Sequence, residues 1–72
     1  MNYNAPMRKD CVTVNSDGTY TVKGGGWFWC RIGWTPQGLS VFEMAPGMAE
    51  KKAARLFISQ AKLTIKTHFS VA

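Results

Sequence analysis

The chain has 72 residues, 46% hydrophobic and 12% aromatic, with nine Lys or Arg against four Asp or Glu and a formal net charge of +5. A domain this small buries only about 60% of the surface its unfolded chain exposes, so one domain with a thin core is expected. The low charged fraction, 18%, excludes the disordered class, and no apolar run approaches the roughly 18 residues of a membrane span.

The excess of positive charge attracts polyanions, nucleic acid first among them, and it also serves simple solubility. Residues 1–10 lack periodicity and read as an N-terminal arm carrying Arg8 and Lys9, with residues 11–72 as the single domain. No apolar leader opens the chain, so a cytoplasmic location is expected. In that compartment Cys11 and Cys30 read as two small core residues rather than a disulfide.

Cys11-Val12-Thr13-Val14 and Thr19-Tyr20-Thr21-Val22-Lys23 alternate and are β-branched, and Asn15-Ser16-Asp17-Gly18 between them is turn chemistry, which predicts a hairpin. Gly24-Gly25-Gly26 then breaks the ladder, as a flexible connection or a place of close approach. A strand from Trp27 to about Trp34 follows. Alternation puts Phe28, Cys30, Ile32 and Trp34 on one face and Trp27, Trp29 and Arg31 on the other. Thr35-Pro36-Gln37-Gly38 is a second turn, and Leu39–Met44 is the returning strand.

After Ala45-Pro46-Gly47 the composition changes, from Met48, to strong helix formers. At 100° per residue Ala54, Phe57, Ile58, Ala61 and Ile65 fall in one arc, and Lys51, Arg55, Lys62 and Lys66 in a neighbouring one. The helix is expected to run to about Lys62 or a turn beyond. Leu63–Val71 also alternates and is rich in β-branched residues, so helix and an added edge strand both stay open there. The expected fold is thus α+β, a small antiparallel β-meander of three or four strands packed against one C-terminal amphipathic helix. The expected core is Val12, Val14, Tyr20, Val22, Phe28, Cys30, Ile32, Phe42, Ala54, Phe57, Ile58 and Ala61.

Catalysis is not expected. Asp10, Asp17, Glu43 and Glu50 are scattered over an arm, a turn, a strand end and a helix start, and His68 is a lone histidine. Two cysteines and one histidine without a Cys-x-x-Cys pair cannot supply a zinc site, and neither metal nor cofactor is expected. The Trp27, Trp29 and Arg31 face offers stacking planes and a guanidinium, chemistry shared by nucleic-acid sites and protein hot spots. Lys23 stands near it, and Lys51, Lys52, Arg55, Lys62 and Lys66 add a basic helix stripe.

From Thr19 to Leu63 the order of elements resembles the three-stranded-sheet-plus-helix DNA-binding domains of plant ethylene-response factors and of the arm-binding regions of phage tyrosine integrases. The resemblance rests on Trp29-Cys30-Arg31-Ile32, the Gly-bearing turn, Val41-Phe42, and the helix text Ala49-Glu50-Lys51-Lys52-Ala53-Ala54-Arg55-Leu56-Phe57. It implies a sheet that enters the major groove, with contacts from Trp27, Trp29 and Arg31. The expected function is nucleic-acid binding, DNA ahead of RNA, with no membrane partner. The alternative is a phage- or mobile-element-encoded inhibitor or adaptor that puts the same face on an acidic surface of a host protein. The thin core and a free edge strand also invite a homodimer.

Overall fold

A computed structural model describes residues 7–24 and 26–69. Four strands, β1 (Val12–Val14), β2 (Tyr20–Lys23), β3 (Trp29–Thr35) and β4 (Gly38–Met44), precede a single helix, α1 (Lys52–His68). The strands form one antiparallel sheet in the order β1-β2-β3-β4. The α+β meander with a C-terminal helix is therefore the fold.

The first hairpin closes as its turn chemistry dictates. Gly18 adopts φ +88°, and the Asp17 carboxylate accepts from the Thr19 amide at 3.0 Å and the Thr19 hydroxyl at 2.6 Å. Asn15 donates its side-chain amide to the hydroxyls of both Thr19 and Thr21, so a short polar cluster fixes the register Val12↔Val22 and Val14↔Tyr20.

In the second hairpin Thr35 pairs with Gly38 across Pro36-Gln37, and its hydroxyl donates to the Gly38 carbonyl at 2.8 Å. The pairing then shifts. Ile32 faces Val41 but Arg31 faces Glu43, leaving Phe42 as the extra residue of a β-bulge. Two consecutive residues of a bulged strand oppose one on its partner, which re-aims a side chain. This corrects the expectation that Phe42 belongs to the core, because its ring is 48% exposed.

One face of the sheet carries Val12, Tyr20, Val22, Cys30, Ile32 and Leu39, all buried. Helix α1 covers it with Ala54, Phe57, Ala61, Thr64 and Ile65. Met48, on a 3-10 turn at Met48–Glu50, closes the end of the core together with Ala45. Phe28 and Ile58 are only partly buried against this cluster. Val14, expected inside, is 59% exposed, since it ends the short edge strand β1. Trp34, on the same sheet face as Ile32, also emerges into solvent.

The helix continues past Lys62 to His68, so the extended alternative for residues 63–68 is wrong. Thr64 and Ile65 come three and four positions after Ala61 and extend its buried stripe, so helical spacing takes up Ile65, which alternation also put inside, and buries Thr64 in place of Leu63. Ser70 and Val71 lie outside the described residues. At the other terminus residues 1–6 of the expected arm lie outside them too, whereas the Met7 amide donates to the Thr64 hydroxyl at 2.6 Å and Met7 packs on the core. No helix among the described residues is long and apolar enough to cross a membrane.

Candidate nucleic-acid interface

The outer sheet face, opposite the helix, carries Arg31 at its centre. Its guanidinium is already engaged: Nε stands 3.3 Å from Glu43 Oε1 and Nη1 3.7 Å from Asp17 Oδ2. It also lies over the Phe42 ring, 5.6 Å from the centroid. The register places Glu43 directly opposite Arg31, and the β1–β2 turn brings Asp17 to its other side. Asp17 sits below the ordinary carboxylate range, chiefly because the Thr19 hydroxyl and amide donate to it, with Arg31 adding a further pull. The surface around Arg31 is charge-compensated, and a phosphate would have to displace two carboxylates.

Trp27 is not in line with Trp29 and Arg31 as expected. β3 begins at Trp29, so Trp27 falls in the connection from β2, where strand alternation does not apply. Its ring, 50% exposed, meets Phe28 edge-on at 4.8 Å between centroids, and Phe28 in turn meets Phe57 of α1 at 5.7 Å. The Trp27 ring also borders Gly47, just ahead of the helix, where a Cβ would stand 3.9 Å from it. Trp27 therefore belongs to the helix N-terminal end of the molecule. Trp29 is half-buried against the core and is the cross-strand partner of the exposed Lys23.

The helix presents the other charge surface. Lys51, Lys52, Arg55 and Lys66 are exposed and Lys62 is half-buried. Arg55, Ser59, Lys62 and Lys66 recur at spacings of three and four and so make one continuous stripe. Two shallow recesses mark its ends, one of about 320 Å³ lined by Ala49, Glu50, Lys51, Lys52 and Arg55, and one of about 280 Å³ lined by Ser59, Lys62, Leu63 and Lys66. Glu50 is the sole acid lining either. Lys62 also reaches toward the sheet: burial pushes the Cys30 thiol up to about 11, and the Lys62 charge opposes that rise.

The structure thus divides the residues singled out from the sequence. Lys23, Trp29 and Arg31 occupy the sheet side, while Trp27 joins Lys51, Lys52, Arg55, Lys62 and Lys66 on the helix side. Phe42, Asp17 and Glu43 were not foreseen as parts of the sheet surface. The only signal was the presence of two acids on either side of the Trp/Arg strand, and their convergence depends on a turn and a bulge. No family model matches the chain, and neither a curated protein nor a solved structure matches it significantly.

Proposed function

We propose that this protein binds nucleic acid, duplex DNA before RNA, mainly through the basic face of α1, with Trp27 as a stacking plane at its N-terminal end. The observation that carries the reading is the contrast between the two charged surfaces. Five of the nine basic residues lie on or at the start of α1, where Glu50 is the one acidic side chain among the described residues that line its two recesses, whereas Arg31 is held between two carboxylates. Phosphate contacts favour Lys and Arg that stand outside an ion pair, as Lys51, Lys52, Arg55 and Lys62 do among the described residues, and they fix affinity without reading sequence. The resemblance to sheet-plus-helix DNA-binding domains would put Arg31 and Trp29 in contact with bases, and these residues enter here as secondary contacts.

The test is a fluorescence titration with a mixed-sequence duplex and a single strand over a range of salt. Each phosphate neutralised contributes about −0.9 to the log–log salt slope, so a slope on the order of −3 to −5 is expected from this helix. Lys62→Gln with Lys66→Gln should reduce its magnitude by about two, and Trp27→Phe should remove most of the quenching. Absence of binding to either polymer at low salt overturns the proposal.

A second reading has one observation in its favour. The exposed Phe42 ring, braced by Arg31, is an aromatic and arginine pair of the kind that anchors protein interfaces. An adaptor or inhibitor using it would bind a host protein with little dependence on salt.

A further inference from the structure

Helix α1 turns its buried stripe, with Ala61 near the middle, toward the sheet, and the charge on the rest of its surface is one-sided. At about 100° per residue, Lys62, Arg55, Lys66 and Lys52 lie between about 100° and 180° from Ala61 in one sense of rotation. Ala53, Gln60, Thr67 and Leu56 lie between about 80° and 140° in the other sense, so that flank of the helix carries no charged residue. The chain that borders the uncharged flank adds little. Met7 bonds Thr64 there, and of the two basic residues that follow it, Arg8 is already paired with Asp10 at 2.8 Å.

A helix of about 10–12 Å diameter fills a major groove of about 12 Å and meets a phosphate row on each wall. Contact with both rows calls for cations on both flanks. α1 has them on one.

Resting on the nucleic-acid reading above, we infer that α1 docks along a single phosphate row from outside the groove, so that its ligand is one phosphodiester strand, paired or alone. From Lys52 to Lys66 the helix rises about 21 Å, enough to follow about six phosphates of one strand at about 3.4 Å of axis each. The cations leave a gap between Arg55 and Lys62, and the exposed Ser59 fills it. Ser59, Lys62 and Lys66 line the recess of about 280 Å³, where the hydroxyl can donate to a phosphate oxygen that the two ammonium groups attract.

Salt titrations of a mixed-sequence duplex and of one of its own strands, chosen to be free of self-pairing, test the assignment. Each neutralised phosphate contributes about −0.9 to the log–log slope on duplex and about −0.7 on a single strand. One row supplies the same number of phosphates in both polymers, so the single-strand slope should be about three-quarters of the duplex slope. Lys62→Gln with Lys66→Gln should subtract about two phosphates from each. A helix wedged between two rows would find only one of them on a single strand, and the ratio of slopes would drop to about 0.4. A ratio below about 0.6, or an effect of the double variant on duplex alone, overturns the single-row assignment and leaves nucleic-acid binding standing. Absence of binding to both polymers overturns the two together.

Discussion

Gly24 lies directly beneath Phe57: a Cβ added to Gly24 would stand 2.6 Å from Phe57 Cε1 and 3.1 Å from Cδ1. The glycine opens the connection from β2 to β3 and the phenylalanine is buried on α1, so this contact seats the first turns of the helix on the sheet. Phe57 cannot swing aside freely, because Phe28 meets it edge-on. Gly24→Ala should therefore destabilise the fold by about 1–3 kcal/mol, the usual cost of overpacking. Phe57→Leu in the same chain should recover part of the loss, and denaturant unfolding of the single and double variants measures both. Equal stability of Gly24→Ala and the parent would show that the space is not tight.

How much of this was legible in the sequence depends on how local the determinant is. The faces of β2 and β3 follow from alternation through Tyr20, Val22, Cys30 and Ile32, and all four are buried. The helix stripe through Ala54, Phe57, Ala61 and Ile65 follows from its spacing. Phe42 fails because a bulge is a mismatch between two strands, invisible in either one alone. Leu63–His68 is ambiguous because Ile65 satisfies both periods, two positions after Leu63 and four after Ala61. The site divides in the same way. The basic stripe of α1 is a property of one helix and could be read directly, while the neutralisation of Arg31 by Asp17 and Glu43 needs three separate elements to converge.

The Asp17 carboxylate links stability to pH. Its bonds from the Thr19 hydroxyl and amide, with Arg31 nearby, hold it below the ordinary value of 3.8. The folded chain thus takes up this proton less readily than the unfolded one. The stability it contributes is present above pH 3.8 and is lost as pH falls below that value toward the folded one. Asp17→Asn keeps an acceptor for Thr19 and removes the titration. Its melting temperature should fall less steeply than that of the parent between about pH 4 and pH 2. Parallel curves would mean that the Thr19 bonds do not favour the ionised form.

The two thiols should separate by reactivity. Cys30 is fully enclosed between sheet and helix, and its thiol is pushed up to about 11, so almost none of it is thiolate near neutral pH. Cys11 is half-buried at the start of β1. A thiol reagent at about pH 8 should label Cys11 readily and reach Cys30 only as the chain unfolds, since the thiolate is the reacting form. The slow phase should accelerate in Gly24→Ala in proportion to its lost stability. Fast labelling of both would place Cys30 at a surface.

Arg31 decides between the two charged surfaces. If α1 carries the phosphate contacts, Arg31→Gln should change duplex affinity by less than about twofold, because its charge is already answered by Glu43 and Asp17. Removing the competitors with Glu43→Gln and Asp17→Asn should free the guanidinium. Affinity at low salt should then rise severalfold, and the log–log salt slope should steepen by about one contact's worth. The helix variant Lys62→Gln with Lys66→Gln should lose affinity in either background by the same factor, since the two surfaces occupy different faces and their effects add. A large loss from Arg31→Gln alone would mean that nucleic acid displaces the two carboxylates, and would move the interface from the helix to the sheet.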